Sequence, residues 1–449
     1  MCLLLSSIPS YVHGAEVATN DLPPVLPPPD FLYAKPRLPD ALLKDKREGV
    51  YVTGFPIIGY NPETQFAFGA AAQIFDNGDR ESPFFALTPY RRRLLVGITA
   101  HTGGFTQAGV EYDLPYFKDS PWRLRGAALM RDYKFENYFG SGESTLQPLS
   151  FPGSPQTFSS YEDYYDALKQ NQNGKTWERY DDYHRTEGLG VLTVERDYLG
   201  GLLRPQAGLQ ISHVRVQDYT GETIDGAVMQ ETRLRQDYLA GRIRGFDGGW
   251  DNALKLGLTF DTRDFEPDPS AGVMLQVVGR FSGTWLGSSF DYQQFTFSAR
   301  EFYNLLPQPN RLILAFRQVY AIQSGDVPFY AAVRLPFTDG DKLGVGGYNT
   351  IRGYKLSRFA GPVASWANAE LRWSFAETTF KKQHLRFMVV PFFDTGRVFD
   401  SVKDTTFKDW KLAGGAGLRL AWNLSTVVSF DYGISSESGF FYMELGHQF

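Results

Sequence analysis

The 449-residue chain has one cysteine, Cys2, six scattered histidines and no long apolar run. A single thiol rules out a disulfide scaffold and any thiolate-held zinc or redox centre. His13, His101, His184, His213, His384 and His447 stand in no His-x-x-His spacing, and there is no G-x-S-x-G elbow. His213 does follow Ser212, but neighbours on a strand point to opposite faces and cannot act together. Neither an enzymatic activity nor a cofactor or metal is expected. A membrane helix needs about 18 consecutive apolar residues, and no stretch approaches that although 43% of the residues are hydrophobic. The formal charge is −5, the pI about 5.8 and the mean hydropathy −0.30. With no basic stripe along the chain, nucleic acid is not an expected partner.

Aromatic side chains, by contrast, make up 15% of the chain, and there are 45 glycines. The length leaves room for two or three soluble domains or one large closed barrel. Alternation decides between them. In 253–263, Leu254, Leu256, Leu258 and Phe260 oppose Lys255, Thr259, Asp261 and Arg263. In 363–376, Ala367, Ala369, Leu371, Trp373 and Phe375 oppose Asn368, Glu370, Arg372 and Ser374. In 411–423, Leu412, Leu418, Leu420 and Trp422 oppose Lys411, Arg419 and Asn423. At the C-terminus, Phe441, Met443, Leu445 and Phe449 share one face, and Tyr442, Glu444, Gly446 and Gln448 the other. A period of two with a bulky outer face and a polar inner face is that of a membrane β-strand. Phe441, Gly446 and the terminal Phe449 are read as a barrel-assembly signal, with His447 at the lipid interface.

The expected fold is all-β, a transmembrane barrel of sixteen antiparallel strands. They fall near 52–60, 64–75, 94–103, 107–114, 121–133, 186–199, 206–217 and 252–263. The second eight fall near 271–284, 289–303, 310–323, 363–376, 384–398, 411–423, 425–433 and 438–449. The long connections, 134–185, 218–251, 324–362 and 399–410, sit at every other position, as external loops should. Short helices are expected at 160–170 and within 229–249. Asp163, Asp166, Asp181 and Asp182 could be read as a cation site, but their spacing is not that of a ligand set. A solvated external loop is expected there.

Residues 3–14 read as a truncated signal peptide, with Val12 and Gly14 at the −3 and −1 positions of a cleavage site. Residues 15–50 form a proline-rich periplasmic leader, extended over 21–39, with a helical turn or two at 40–48. The barrel takes the rest, 51–449.

Between the eleventh and twelfth strands lies GVGGYNTIRGYKLSRF (344–359), with Ile351, Arg352, Gly353 and Tyr354 in sequence. Phe392, Asp394 and Gly396 form F-x-D-x-G on the thirteenth strand. The pair resembles the [VI]-R-G-[FY] and F-x-D-x-G motifs of the outer-membrane protein 85 superfamily, the BamA/TamA-like bacterial surface antigens. FDTRDFEPDPSAG (260–272), AELRWSF (369–375), GAGLRL (415–420) and ELGHQF extend the resemblance over residues 250–449.

The resemblance implies an integral protein of the bacterial outer membrane with the motif loop folded into the lumen. A guanidinium there needs a carboxylate on both prongs. Asp394 is the expected partner of Arg352, with Glu370 a second candidate. Gly353 would let the loop pass close to the wall, and Tyr354 would brace it. No POTRA domain is read before the barrel, so this is expected to be a short member. The expected role is help in protein or lipid insertion, assembly or translocation through a lateral seam between the first and last strands. The shorter, less regular strands one to four fit a weak seam. Alternatives are a passive or gated pore, or a barrel anchor for a periplasmic partner gripped through the leader. Expected partners are outer-membrane lipid and lipopolysaccharide, the assembly machinery for its own insertion, and client outer-membrane proteins.

Overall fold

The computed structural model describes residues 22–38, 40–306, 311–380, 383–422 and 426–449. The expected signal segment lies outside them. Sixteen wall strands form one antiparallel sheet that closes on itself. They are β1 (Val50–Asn61), β2 (Gln65–Asp76), β3 (Arg92–His101), β4 (Phe105–Leu114), β5 (Trp122–Asn137), β6 (Asp182–Arg196), β7 (Leu203–Asp218) and β8 (Ala253–Asp261). The circuit continues through β9 (Gly272–Ser282), β10 (Tyr292–Leu306), β11 (Leu312–Gly325), β12 (Val363–Phe380), β13 (Gln383–Phe399), β14 (Lys411–Trp422), β15 (Thr426–Ser435) and β16 (Gly439–Leu445). The expected count of sixteen holds, and the alternation holds up to the last strand.

Burial is the reverse of that in a water-soluble protein. Ile98, Ile211, Leu256, Leu418 and Trp373 are exposed on the outer wall. Arg185, Arg280, Arg317, Arg352, Arg372 and Arg419 are fully buried inside. Charged residues are almost never buried in a soluble core, whereas an apolar exterior around a polar interior is what a bilayer demands. Among the described residues no helix is long and apolar enough to cross a membrane.

Neighbouring strands pair along most of their length, but the closing seam does not. β1 pairs with β2 from Val50↔Asp76 to Asn61↔Gln65. Between β1 and β16 the only paired residues described are Tyr60 and Met443. The weakness was expected from short strands one to four. Instead β1 and β2 have twelve residues each, and β16 has seven. β1 also carries Pro56, a residue that strands tolerate at edges because it has no N–H to give.

The leader also differs from a free extended tail. A 3-10 turn at Asp30–Leu32 and helix α1 (Asp40–Asp45) dock on the short-turn rim. Leu32 and Leu43 are fully buried, and Phe31 and Leu32 pack on Phe84, Leu87 and Tyr116. Alternation within strands carries no signal for such docking, because the receiving residues lie in connections 77–91 and 115–121. Lys46, at the end of the docked segment, donates to the carbonyl oxygens of Phe85 and Thr88. Burial, and then the charge of Arg91, lowers its pKa from 10.5 to about 7. The undocked lysine keeps its ordinary value, so between about pH 7 and 10 the docked form binds fewer protons. Docking therefore strengthens as pH rises through that window. Limited proteolysis of 22–46, normalised to unfolded protein, is expected to slow from pH 7 to 9.5. Lys46→Met should abolish that dependence; the same slope in the variant would place the titration elsewhere.

At the long-loop rim, helix α2 (Tyr161–Leu168) and helix α3 (Arg233–Leu239) fall where short helices were expected. Each starts on a hydroxyl cap, Ser160 accepting from Asp163 N–H and Thr232 from Arg235 N–H. Tyr164, Leu168 and Met229 join Phe139, Phe151 and Tyr180 in an external core. Of the four aspartates, Asp181 and Asp182 are engaged by protein side chains. Asp181 accepts from Arg233 at 2.6 Å and Tyr164 at 2.6 Å, and Asp182 pairs with Arg179 at 3.1 Å. Among the described residues no group of three or more metal-ligating side chains is present.

Candidate functional site

The connection from β11 to β12 does not stay outside; it fills the lumen in two descents. The first is a hairpin in which Arg334–Leu335 pair with Lys342–Leu343. Its tip accepts from Arg125 at the Thr338 carbonyl (2.9 Å), and its Asp341 takes Lys255 (2.9 Å) and Arg280. This hairpin was not foreseen, since its sequence carries no motif. The second descent is the motif loop, closed at its neck by Val345 bridging Phe359. Thr350 ties its turn by accepting from Gly346 N–H at 2.8 Å.

Arg352 stands at the bottom of this loop with no solvent exposure. Its Nε and Nη2 donate to the two oxygens of Asp394 at 2.8 and 2.9 Å. Nη1 reaches Glu370 at 2.9 Å and Asp431 at 3.0 Å. The guanidinium lies 3.3 Å from the centre of the Phe392 ring. Burial opposes its charge, but Asp394, then Glu370 and Asp431, raise the pKa well above the ordinary arginine value. Both expected carboxylates are therefore engaged, with Asp394 taking the fork.

Sequence reasoning missed Asp431 and Arg419. Arg419 donates to Asp431 at 2.9 Å, and Arg372 to Glu370 at 2.9 Å. Three guanidiniums and three carboxylates thus balance inside the wall. The one available signal was parity, because Arg419 sits on the polar side of its strand.

The glycines let backbones meet. Gly353 has φ +94°, and a Cβ there would lie 2.8 Å from the carbonyl carbon of Ile434. Gly433 faces it, and a Cβ there would lie 2.7 Å from that of Arg352. A Cβ on Gly396 would meet Ile351 and Trp366 at 2.8 Å. Tyr354 is buried edge-on to Phe359, with its hydroxyl 3.0 Å from that of Ser436.

The C-terminus departs from the expected alternation. Phe441 does face outward, but β16 ends at Leu445 and the chain turns inward at Gly446, φ +95°. Phe449 is not a lipid-facing residue: it packs inside on Phe302, Ile313 and Ala315. Arg372 donates to the main-chain oxygen of Phe449 at 3.0 Å, and Arg317 to the carbonyl of Gln448 at 3.3 Å. His447 likewise leaves the lipid interface and meets Asp268 at 3.1 Å. Internal arginines that need acceptors override the strand's alternation.

Residues 95–449 match the Omp85 superfamily domain. The chain belongs to the Omp85 superfamily. It is an outer-membrane β-barrel. Residues 29–91 match a domain of unknown function (DUF5982), which spans the docked leader, β1, β2 and the first of the two connections that receive the leader. Among solved structures, the fold is similar to BamA from Haemophilus ducreyi lacking POTRA domains 1–3. That likeness has TM-score 0.54 at 14% identity and covers 89% of this chain and 70% of that one. CdiB from Escherichia coli follows with TM-score 0.49 at 11% identity, covering 90% and 68%. CdiB from Acinetobacter baumannii has TM-score 0.45 at 12% identity, covering 89% and 60%. No curated protein matches the chain.

Proposed function

We propose that this Omp85 barrel assists insertion or translocation of protein, or of lipid, at the outer membrane through the β1–β16 seam, without enzymatic chemistry. The observation that carries the reading is the single pairing of Tyr60 with Met443, beside otherwise long ladders. An unpaired strand edge is a template for adding another strand. Both descents of the β11–β12 connection occupy the lumen, which favours a lateral route over an aqueous pore. The site's three carboxylates are each held by arginine, which leaves none free as an acid or base. A second reading, an anchor for a periplasmic partner, draws on the exposed Val25 in the extended proline segment ahead of the docked leader.

The test closes the seam. In a Cys2→Ser background, Tyr60→Cys and Met443→Cys occupy directly opposed positions that a disulfide can span. Reduced protein in liposomes is expected to speed folding of urea-unfolded client barrels several-fold over empty liposomes. Oxidation should return the rate to that of empty liposomes, and reductant should restore it. Equal rates before and after oxidation, or no acceleration at all, would overturn the lateral reading.

A further inference from the structure

The outer wall across β9–β14 is not uniformly bulky. One register row runs Ala299, Gln318, Ala367, Thr395, each paired with the next across adjacent strands. Small side chains between Phe297 and Phe393 leave a depression of about 810 Å³. Over its external end hangs the β13–β14 loop, which folds down outside the barrel rather than up. Thr405 of that loop lies 3.2 Å from the hydroxyl of Tyr320, two strands away. Arg397, on the outer face of β13, secures the loop through the Lys408 carbonyl and Asp409. Trp410 donates to Thr406 O at 2.7 Å, and its ring stacks with that of Phe407. Phe407 is 97% exposed and lines the groove with Trp410.

Two features say what the groove holds. Gln318 faces the bilayer between Phe316 and Tyr320, and its amide makes no hydrogen bond among the described residues. Its neighbours are satisfied: Ser365 donates to Val319 O and Thr395 to Lys411 O, both at 3.0 Å. A lone amide facing hydrocarbon is costly unless the lipid supplies its partner. Above it, Lys403 and Lys408 are exposed on the loop and form no ion pair among the described residues.

We propose that this hooded groove binds one phosphate-bearing lipid of the outer leaflet. Its acyl chain lies along the Ala299–Thr395 floor, and its phosphate meets Lys403 and Lys408. Gln318 stands two residues, about 7 Å, below Tyr320 and the loop edge. A chain carrying a hydroxyl a few carbons from its head places that group at the amide, where it can both donate and accept. Lipids bearing hydroxylated acyl chains, as in lipopolysaccharide, are the chemistry selected over plain diacyl phospholipids.

The purified barrel, delipidated in mild detergent, is titrated with lipid A or with phosphatidylglycerol, and retained lipid is counted by native mass spectrometry. One lipid A per barrel is expected, with phosphatidylglycerol held at least tenfold more weakly. Ala367→Phe fills the floor and should cut lipid A retention at least tenfold. Gln318→Leu should cut lipid A retention about fivefold and leave phosphatidylglycerol unchanged. Lys403→Glu with Lys408→Glu should weaken both lipids. These side chains point away from the lumen, and an unchanged heat-modifiability gel confirms folding of each variant. Full retention by Ala367→Phe, or equal retention of the two lipids by wild type, would overturn the site.

Discussion

Arg352→Ala is expected to leave a barrel that still forms but has lost much of its resistance to heat and urea. The substitution removes two bonds to Asp394 and one each to Glu370 and Asp431. Glu370 and Asp431 then keep Arg372 and Arg419, while Asp394 keeps only the Asn368 amide and the backbone N–H of residue 352 among the hydrogen bonds described, away from bulk water. Breaking a buried ion pair from one side costs about 3–5 kcal/mol, and here three acceptors lose the same donor. Arg352→Lys should recover part of the loss, because an ammonium keeps the charge but cannot make the two-pronged bond to Asp394. Asp394→Asn should fall between them. The check is the midpoint of heat modifiability on a gel, with urea unfolding followed by tryptophan fluorescence. A midpoint equal to wild type in Arg352→Ala would mean that the lock does not hold the loop.

What the sequence could and could not show follows from which forces are local. Strand positions were legible because the bilayer imposes one rule on every outward side chain, as Leu254, Leu256 and Leu258 obey. The lock was half legible: Asp394 belongs to a motif and Glu370 lies on a lumen-facing parity. Asp431 and Arg419 share that parity too, but parity gives a face and not a partner across the barrel. Hairpin 334–343 enters because Arg125, Arg280 and Lys255 on distant strands need its acceptors, and no local pattern records that need. The same applies to the docked leader, whose Leu32 finds its partners in connections 77–91 and 115–121. Alternation misled only at the end of the chain, where Gly446 breaks it.

That break is expected to matter as much as the motif. Removing His447–Phe449 strips a buried phenylalanine, worth about 1.5–3 kcal/mol. It also strips two main-chain oxygen acceptors from Arg317 and Arg372, at about 1.5–3 kcal/mol each for bonds to charged groups. Water entering the vacated space offsets part of this, so a net loss of roughly 3–5 kcal/mol is expected, by the same comparison with broken buried contacts. Hydrogen exchange should rise in β16, which keeps one paired residue with β1. Gly446→Val is expected to act differently. Positive φ costs a branched residue about 1–3 kcal/mol, so the tail should straighten. Extending the Tyr60↔Met443 register would bring Leu445 opposite Ile58 and carry the strand on towards Gly54. The variant should then show slower exchange over 54–60, because the seam has zipped. It should also lose any insertion activity while its barrel resists urea at least as well as the truncated chain. Unchanged exchange in both variants would make the tail a passenger. Opposite changes in the two would show that the inward turn at Gly446 is what keeps the seam short.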